Sequence, residues 1–153
     1  MIIECTGDLL KANARALVNP VNCVGVMGKG LAKQFKEQHP ESFVTYATAC
    51  REGRVQRGRV LIHDYAPDGD DGDGVRWIIQ FPTKGHWRQP SRLCDIKSGL
   101  DDLVTQVNRR GIESIAIPPL GCGLGGLNPE HVKPLIKAAF EPLTEVNVLL
   151  YWV

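Results

Sequence analysis

Residues 16–35 constrain the fold of this chain more than any other stretch. The segment begins as the apolar run Ala16-Leu17-Val18-Asn19-Pro20-Val21, with the bulk of a buried strand. It passes through a loop that holds Gly25, Gly28 and Gly30, then resumes with helical spacing at Leu31, Phe35 and Gln38. A strand that opens through glycines into a helix makes a cradle for phosphate. The glycines permit positive φ and close backbone approach, so amide N–H groups can turn toward an anion. The new helix points its positive dipole end at the same place. Asn22, at the end of the strand, is placed to reach a ribose hydroxyl.

A chain of 153 residues, 43% apolar and 23% charged, is sized for one globular domain with a substantial core, so a single domain over 1–153 is expected. The formal charge of +1 argues against a protein that coats polyanions at large, and any nucleic-acid contact should be local. The five cysteines (Cys5, Cys23, Cys50, Cys94, Cys122) are odd in number, widely spaced and free of any Cys-x-x-Cys pair. Neither a disulfide framework nor a zinc site is suggested, no metal is expected, and a reducing cytoplasm fits. No secretory leader is evident and no apolar run approaches about 18 residues, so no membrane association is expected.

Taken in order, residues 1–5 read as a short strand, followed by the turn Thr6-Gly7-Asp8-Leu9-Leu10, which presents an acid just after the strand end. His39-Pro40 breaks the chain after the first helix, and Pro40 suits the first turn of a second helix over 40–51, closed by Gly53. Segments 60–65 and 75–81 read as strands of a hairpin, joined by the acidic loop 66–74. The acids of that loop lack the spacing of a calcium loop and are read as a solvated connection. Over 91–110 the apolar positions Leu93, Ile96, Leu100, Leu103, Val104 and Val107 recur at helical steps, with Ser91 as N-cap and Gly111 as stop. Segment 112–118 reads as a buried strand, Asn128-Pro129 opens a last helix, and 146–153 closes the chain as a strand. Strands with continuous apolar runs alternating with helices indicate a largely parallel sheet covered on both faces, with the hairpin as an antiparallel element.

A second glycine loop, Pro118-Pro119-Leu120-Gly121-Cys122-Gly123-Leu124-Gly125-Gly126, follows the penultimate strand. Its Gly-x-Gly-x-x-Gly spacing formally matches the dinucleotide fingerprint, but two preceding prolines and the delayed helix do not suit that context. Alone, either loop would serve as a tight turn. Both leave the carboxyl ends of strands, where ligands of open α/β sheets sit, and together they suggest one diphosphate gripped from two sides. A third segment, Phe81-Pro82-Thr83-Lys84-Gly85-His86-Trp87-Arg88-Gln89-Pro90-Ser91-Arg92, also follows a strand and is the one strongly basic patch that contains an aromatic. His86, Trp87, Arg88 and Arg92 are candidates for contact with a nucleic-acid strand, Trp87 by stacking on an unpaired base or, equally, by capping the core. Lys84, at the strand end, could pair with phosphate, stabilise developing negative charge, or attack a sugar aldehyde.

Together, Gly7-Asp8-Leu9, the run from Asn19 to Gly30, Phe81-Pro82-Thr83-Lys84-x-His86-Trp87-Arg88 and Pro118-Pro119-Leu120-Gly121-Cys122-Gly123 resemble the macrodomain family. Within it, the likeness is greatest to the bacterial DNA ADP-ribosyl glycohydrolases of the DarG type. The resemblance covers essentially the whole chain. It implies a three-layer α/β/α sandwich with a mixed central sheet, and removal of ADP-ribose from thymidine in single-stranded DNA as antitoxin to a DarT-like toxin. The end of the chain within a strand leaves room for 1–153 to be the N-terminal part of a longer protein, and does not reveal whether a partner-binding segment follows. No cofactor is implied; ADP-ribose would be ligand and product, and a monomer is expected.

Carried over by position, Asp8 would accept a hydrogen bond from the adenine amino group, with Leu9 beside it, and Asn22 would orient the distal ribose. Gly28, Lys29 and Gly30, with Gly121, Cys122, Gly123 and Gly125, would hold the diphosphate and distal ribose mainly through backbone amides. Lys84 matches the catalytic lysine of the family, and His86 is a secondary candidate for proton transfer. The related human terminal ADP-ribose glycohydrolase, similar in the lysine motif, also uses an aspartate in the second glycine loop; Gly125 stands at that place here. Two further readings use the same pocket: a module that binds ADP-ribose without cleaving it, and a hydrolase acting on acidic side chains of proteins.

Overall fold

The computed structural model describes residues 1–69 and 72–152. The elements run β1 (Ile2–Cys5), a 3-10 turn (Leu9–Lys11), β2 (Ala16–Val21), α1 (Gly30–Gln38), α2 (Pro40–Arg51), β3 (Leu61–Asp64), β4 (Trp77–Pro82), α3 (Leu93–Arg110), β5 (Ser114–Ile117), α4 (Pro129–Phe140) and β6 (Asn147–Tyr151). The strands form one sheet in the order β1-β6-β5-β2-β4-β3. Every pairing is parallel except that of β3 with β4, the expected hairpin.

The apolar runs of β2 and β4 have no wet face because helices cover both sides of the sheet. Val18, Ile79 and Phe81 point toward α3 and α4, where they meet Ile96, Leu100, Leu103, Val132 and Ile136. Leu17 and Ile78 point the other way, against Phe35 of α1, while Val21 packs with Met27 and with Tyr46 and Ala49 of α2. The result is the three-layer α/β/α sandwich with a mixed sheet that the sequence led us to expect. Between the two clusters under α1 and α2 lies a buried amide pair, in which Asn19 Nδ2 donates to Gln80 Oε1 at 2.9 Å across the β2–β4 register.

The helix over Leu93–Arg110 corrects one expectation. Ser91 is not its N-cap: the helix starts two residues later, and Arg92 holds the capping place without a side-chain cap bond. Ser91 is instead buried, and its N–H donates to the Gly125 carbonyl at 2.9 Å. A serine committed to a neighbouring loop cannot also turn its backbone into the cap. The far end is as read, with Gly111 in the left-handed region at φ 64°. Asn128 does cap α4, its Oδ1 accepting from the Glu130 N–H at 2.9 Å.

Several strand ends shift by a residue or two; β4 begins at Trp77 and runs through Pro82, and β6 covers Asn147–Tyr151. The last residue, Val153, and two acids of the hairpin loop, Asp70 and Asp71, lie outside the described residues. Among the described residues, no helix is long and apolar enough to cross a membrane.

Candidate active site at the carboxyl edge of the sheet

Strands β5, β2 and β4 are adjacent and parallel, so the three segments that follow them must emerge at the same edge. They enclose a cavity of about 880 Å³. Its walls are Asn22, Val26, Gly28, Lys29 and Gly30 from the first loop, Thr83, Lys84, Trp87 and Arg88 from the second, and Gly121, Cys122, Gly123, Leu124 and Gly125 from the third, with Trp152 at one end. Among the described residues the lining includes Lys29, Lys84 and Arg88 but no carboxylate. An anion entering it meets positive charge and no acidic side chain in the wall.

The first loop is built around Asn22. Its Oδ1 accepts from the Val24 N–H at 3.0 Å, from the Val26 N–H at 3.4 Å and from the Tyr46 hydroxyl at 2.7 Å, while Nδ2 donates to the Val26 carbonyl at 2.9 Å. The carboxamide therefore shapes the loop first, and its second Nδ2 hydrogen remains for a ligand hydroxyl. Burial, with the Cys50 thiol beside it, pushes the Tyr46 phenol well above its usual range, so it stays a donor. Gly30, at φ 62°, turns the chain into α1, whose N-terminus opens on the cavity. The amides of Gly28, Lys29 and Gly30 take no part in the internal bonds of the loop.

Across the cavity, Gly121 (φ 75°) starts a turn closed by the Leu127 N–H on the Gly121 carbonyl at 2.9 Å. The amides of Gly123, Leu124 and Gly125 are likewise unspent inside the loop. Two loops with unspent N–H groups thus line one space, the kind of arrangement that holds a diphosphate. Gly125 has no room for a side chain: a Cβ there would lie 2.5 Å from the Gly121 carbonyl oxygen and against Ser91 Oγ. The absence of an acid at this position is built into the packing. The Cys122 thiol donates to the Leu120 carbonyl at 3.5 Å and its pKa is raised by burial, so it remains a neutral wall group.

Lys84 enters from the end of β4. Its Nζ donates to the Trp87 carbonyl at 3.1 Å and has no carboxylate partner among the described residues, and burial alone moves its pKa below the ordinary lysine value. The segment is laced to the first loop by the Cys23 N–H on the Gly85 carbonyl at 2.9 Å and the Thr83 N–H on the Val21 carbonyl at 2.8 Å. Trp87 is 45% exposed at the cavity mouth, with the Arg88 guanidinium 4.5 Å over its ring and His86 5.0 Å away on centroids. His86 Nδ1 accepts from the Arg88 N–H at 3.1 Å. Neither His86 nor Arg92 lines the cavity; Arg92 Nε donates to Asp95 at 3.0 Å just outside.

Asp8 and Leu9 stand apart from this wall. Asp8 caps the 3-10 turn, its Oδ1 accepting from the Leu10 N–H at 3.0 Å, which leaves the other oxygen open. It follows β1 at the same sheet edge, beyond the Trp152 end, where the Trp152 N–H bonds the Cys5 carbonyl at 2.9 Å. The Leu9 side chain is buried against Leu17 and Phe35 and belongs to the core. Sequence reading passed over Ser91, Thr83 and Trp152 as site residues. Their one sequence signal is position, directly after or before a strand or helix end at the carboxyl edge.

Residues 18–136 match the family model described as Macro domain, and the chain belongs to the macrodomain family. A DNA ADP-ribosyl glycohydrolase of Mycobacterium tuberculosis is 48% identical over 151 residues, covering 99% of this chain and 42% of that protein. This chain thus spans about two fifths of that relative's length. Among solved structures, the macrodomain of Mycobacterium tuberculosis DarG superposes with a TM-score of 0.93 at 48% identity, over 99% of this chain and 97% of that one. Thermosipho africanus DarTG in complex with ADP-ribose superposes with a TM-score of 0.89 at 35% identity, over 99% of this chain and 41% of that one.

Proposed function

We propose that this domain hydrolyses the glycosidic bond between ADP-ribose and a thymine base in single-stranded DNA, and so counteracts a DarT-like DNA ADP-ribosyltransferase. The observation that carries this reading is the pairing of two amide-lined loops with Lys84 at the wall of one carboxylate-free cavity. The name of the similar mycobacterial protein supports ADP-ribosylated DNA as the substrate.

In this reading the diphosphate lies between Gly28-Lys29-Gly30 and Gly123-Leu124-Gly125, Asn22 steadies the distal ribose through its spare Nδ2 hydrogen, and Asp8 takes the adenine amino group with its open oxygen. The anomeric carbon is then presented toward Lys84. As the carbon–nitrogen bond breaks, its electron pair moves to the thymine and positive charge spreads over the ribose ring carbon and oxygen. The Lys84 ammonium, with two hydrogens not used by the Trp87 carbonyl, stabilises the departing base; water adds to the carbon, and its proton ends on the thymine. His86, Trp87, Arg88 and Arg92 at the mouth hold the DNA strand. The protein acts as a monomer in the cytoplasm without membrane contact.

The test compares the parent with Lys84→Ala on a thymidine-ADP-ribosylated oligonucleotide, with ADP-ribose affinity measured alongside by calorimetry. Loss of cleavage by at least a hundredfold with affinity kept within about threefold is expected, since removal of one charge-stabilising group costs on the order of 10²–10³ in rate. A parent that binds ADP-ribose but leaves the oligonucleotide intact would make the domain a reader.

A further inference from the structure

A second basic feature lies outside the cavity. The segment 53–60, between α2 and β3, folds against α3: Gly58 meets Ser98, with 3.3 Å between the Ser98 Cβ and the place a Gly58 Cβ would occupy, and the Val60 N–H donates to Asp102 Oδ2 at 2.8 Å. Asp95, Asp102 and Arg109 follow at seven-residue steps, so they share one face of α3. Gly53, Arg54, Gln56, Arg59, Gln106 and Arg109 surround a shallow, mainly polar depression along that face.

Arg57, in the segment that walls this depression, reaches the loop that carries Lys84. The Arg57 guanidinium carbon lies 3.9 Å from where a Gly85 Cβ would sit, next in sequence to Lys84. Asp95 ties the two basic segments together, with Arg92 Nε at 3.0 Å and Arg57 at 3.8 Å on the same carboxylate oxygen. Arg88, Arg92, Arg57, Arg59, Arg54 and Arg109 thus form one exposed band, from Trp87 down the side of α3. The acids within it are engaged: Asp95 by two arginines, Asp102 by a backbone amide, Glu52 by Arg54 at 2.7 Å. Arg59 and Arg109 make no ion pair with any described residue. For a chain with a net charge of only +1, so many arginines on one side are a marked concentration.

We infer that this band is the track for the unmodified part of the DNA strand, carrying the phosphates next to the modified thymidine away from Trp87, past Arg57, to Arg59 and Arg109. From Asp95 to Arg109 the helix rises about 21 Å at roughly 1.5 Å per residue, which is about six nucleotides at duplex rise and fewer for an extended strand. The guanidinium groups meet backbone phosphates, so the track holds the strand without reading its sequence. The inference rests on the DNA-directed reading of the active site.

The test is the double variant Arg59→Glu/Arg109→Glu, compared with the parent on two substrates: a modified oligonucleotide of about 20 nucleotides and a modified trinucleotide. Binding of unmodified oligothymidylate of about 20 nucleotides is followed by fluorescence anisotropy. We expect about a tenfold loss of kcat/KM on the long substrate at about 50 mM salt. The log–log salt slope should shrink by about 1.4, for two phosphate contacts at about 0.7 each. Cleavage of the trinucleotide and affinity for ADP-ribose should be unchanged. Equal activity and equal salt slope on the long substrate would overturn the track. If the parent cleaves neither substrate, the reading of the active site fails instead, and the anisotropy arm decides the track: oligothymidylate binding lost in the variant supports it, and no binding by the parent or binding equal in both overturns it.

Discussion

At the scale of residues, the site works by what is absent as much as by what is present. With no carboxylate in the lining, Lys84 has no ion-pair partner among the described residues, and burial destabilises its charge. Its folded pKa therefore lies below the ordinary lysine value of about 10.4. The ammonium is the working form in our account, so activity should fall as pH rises through the lowered pKa, earlier than an exposed lysine would allow. A pH profile of kcat checks this, and a profile that rises through that range would show that the free amine is the acting species. Gly125 is the second such residue. Installing the acid seen in the human relative, Gly125→Asp, would drive a side chain into the Gly121 carbonyl and Ser91. We expect a loss of about 1–3 kcal/mol from overpacking, read as a lower urea midpoint, and weakened ADP-ribose binding rather than faster cleavage.

These residue-level facts were unevenly legible in the sequence. Glycines at strand ends announced both loops, because few other reasons gather glycine there. That Gly125 excludes a side chain was not legible, since Ser91 and Gly121 become its neighbours only when two loops meet. Ser91 itself was misleading: a serine just before an apolar helical repeat has every local mark of an N-cap, and only the pairing with Gly125 diverts it. The Asn22 side chain looked free to reach a ligand, yet most of its bonds are made to its own loop.

At the scale of elements, helical and strand periodicity placed the four α-helices and six strands of the described residues close to where they are, and continuous apolar runs announced parallel, doubly covered strands. One element contact deserves a direct test. Gly99 lets α3 lie against β4 so closely that a Cβ would collide with the fully buried ring of Phe81. Replacing glycine by alanine inside a helix normally gains up to about 1 kcal/mol in propensity. Here overpacking costs about 1–3 kcal/mol and wins. Gly99→Ala should therefore lower the denaturant midpoint, and an unchanged or raised midpoint would show that the ring can move aside. The band along α3 is the element-level feature the sequence hid. Arg57, Asp95 and Arg109 are remote in the chain, and only the packing of segment 53–60 on the helix aligns them.

At the scale of the whole molecule, the parallel strands β5, β2 and β4 deliver three segments to one edge, and each brings a different capacity: amides at a helix start, amides in a glycine turn, and a lysine with an aromatic and basic rim. The measurement that tests this account most directly is a rate comparison for the parent protein on two substrates sharing the same ADP-ribose, one linked to thymidine in single-stranded DNA and the other to a glutamate side chain in a peptide. The account predicts faster release from DNA, by about tenfold or more, with that advantage shrinking as salt rises because phosphate contacts are screened. Equal or faster release from the peptide, insensitive to salt, would contradict it.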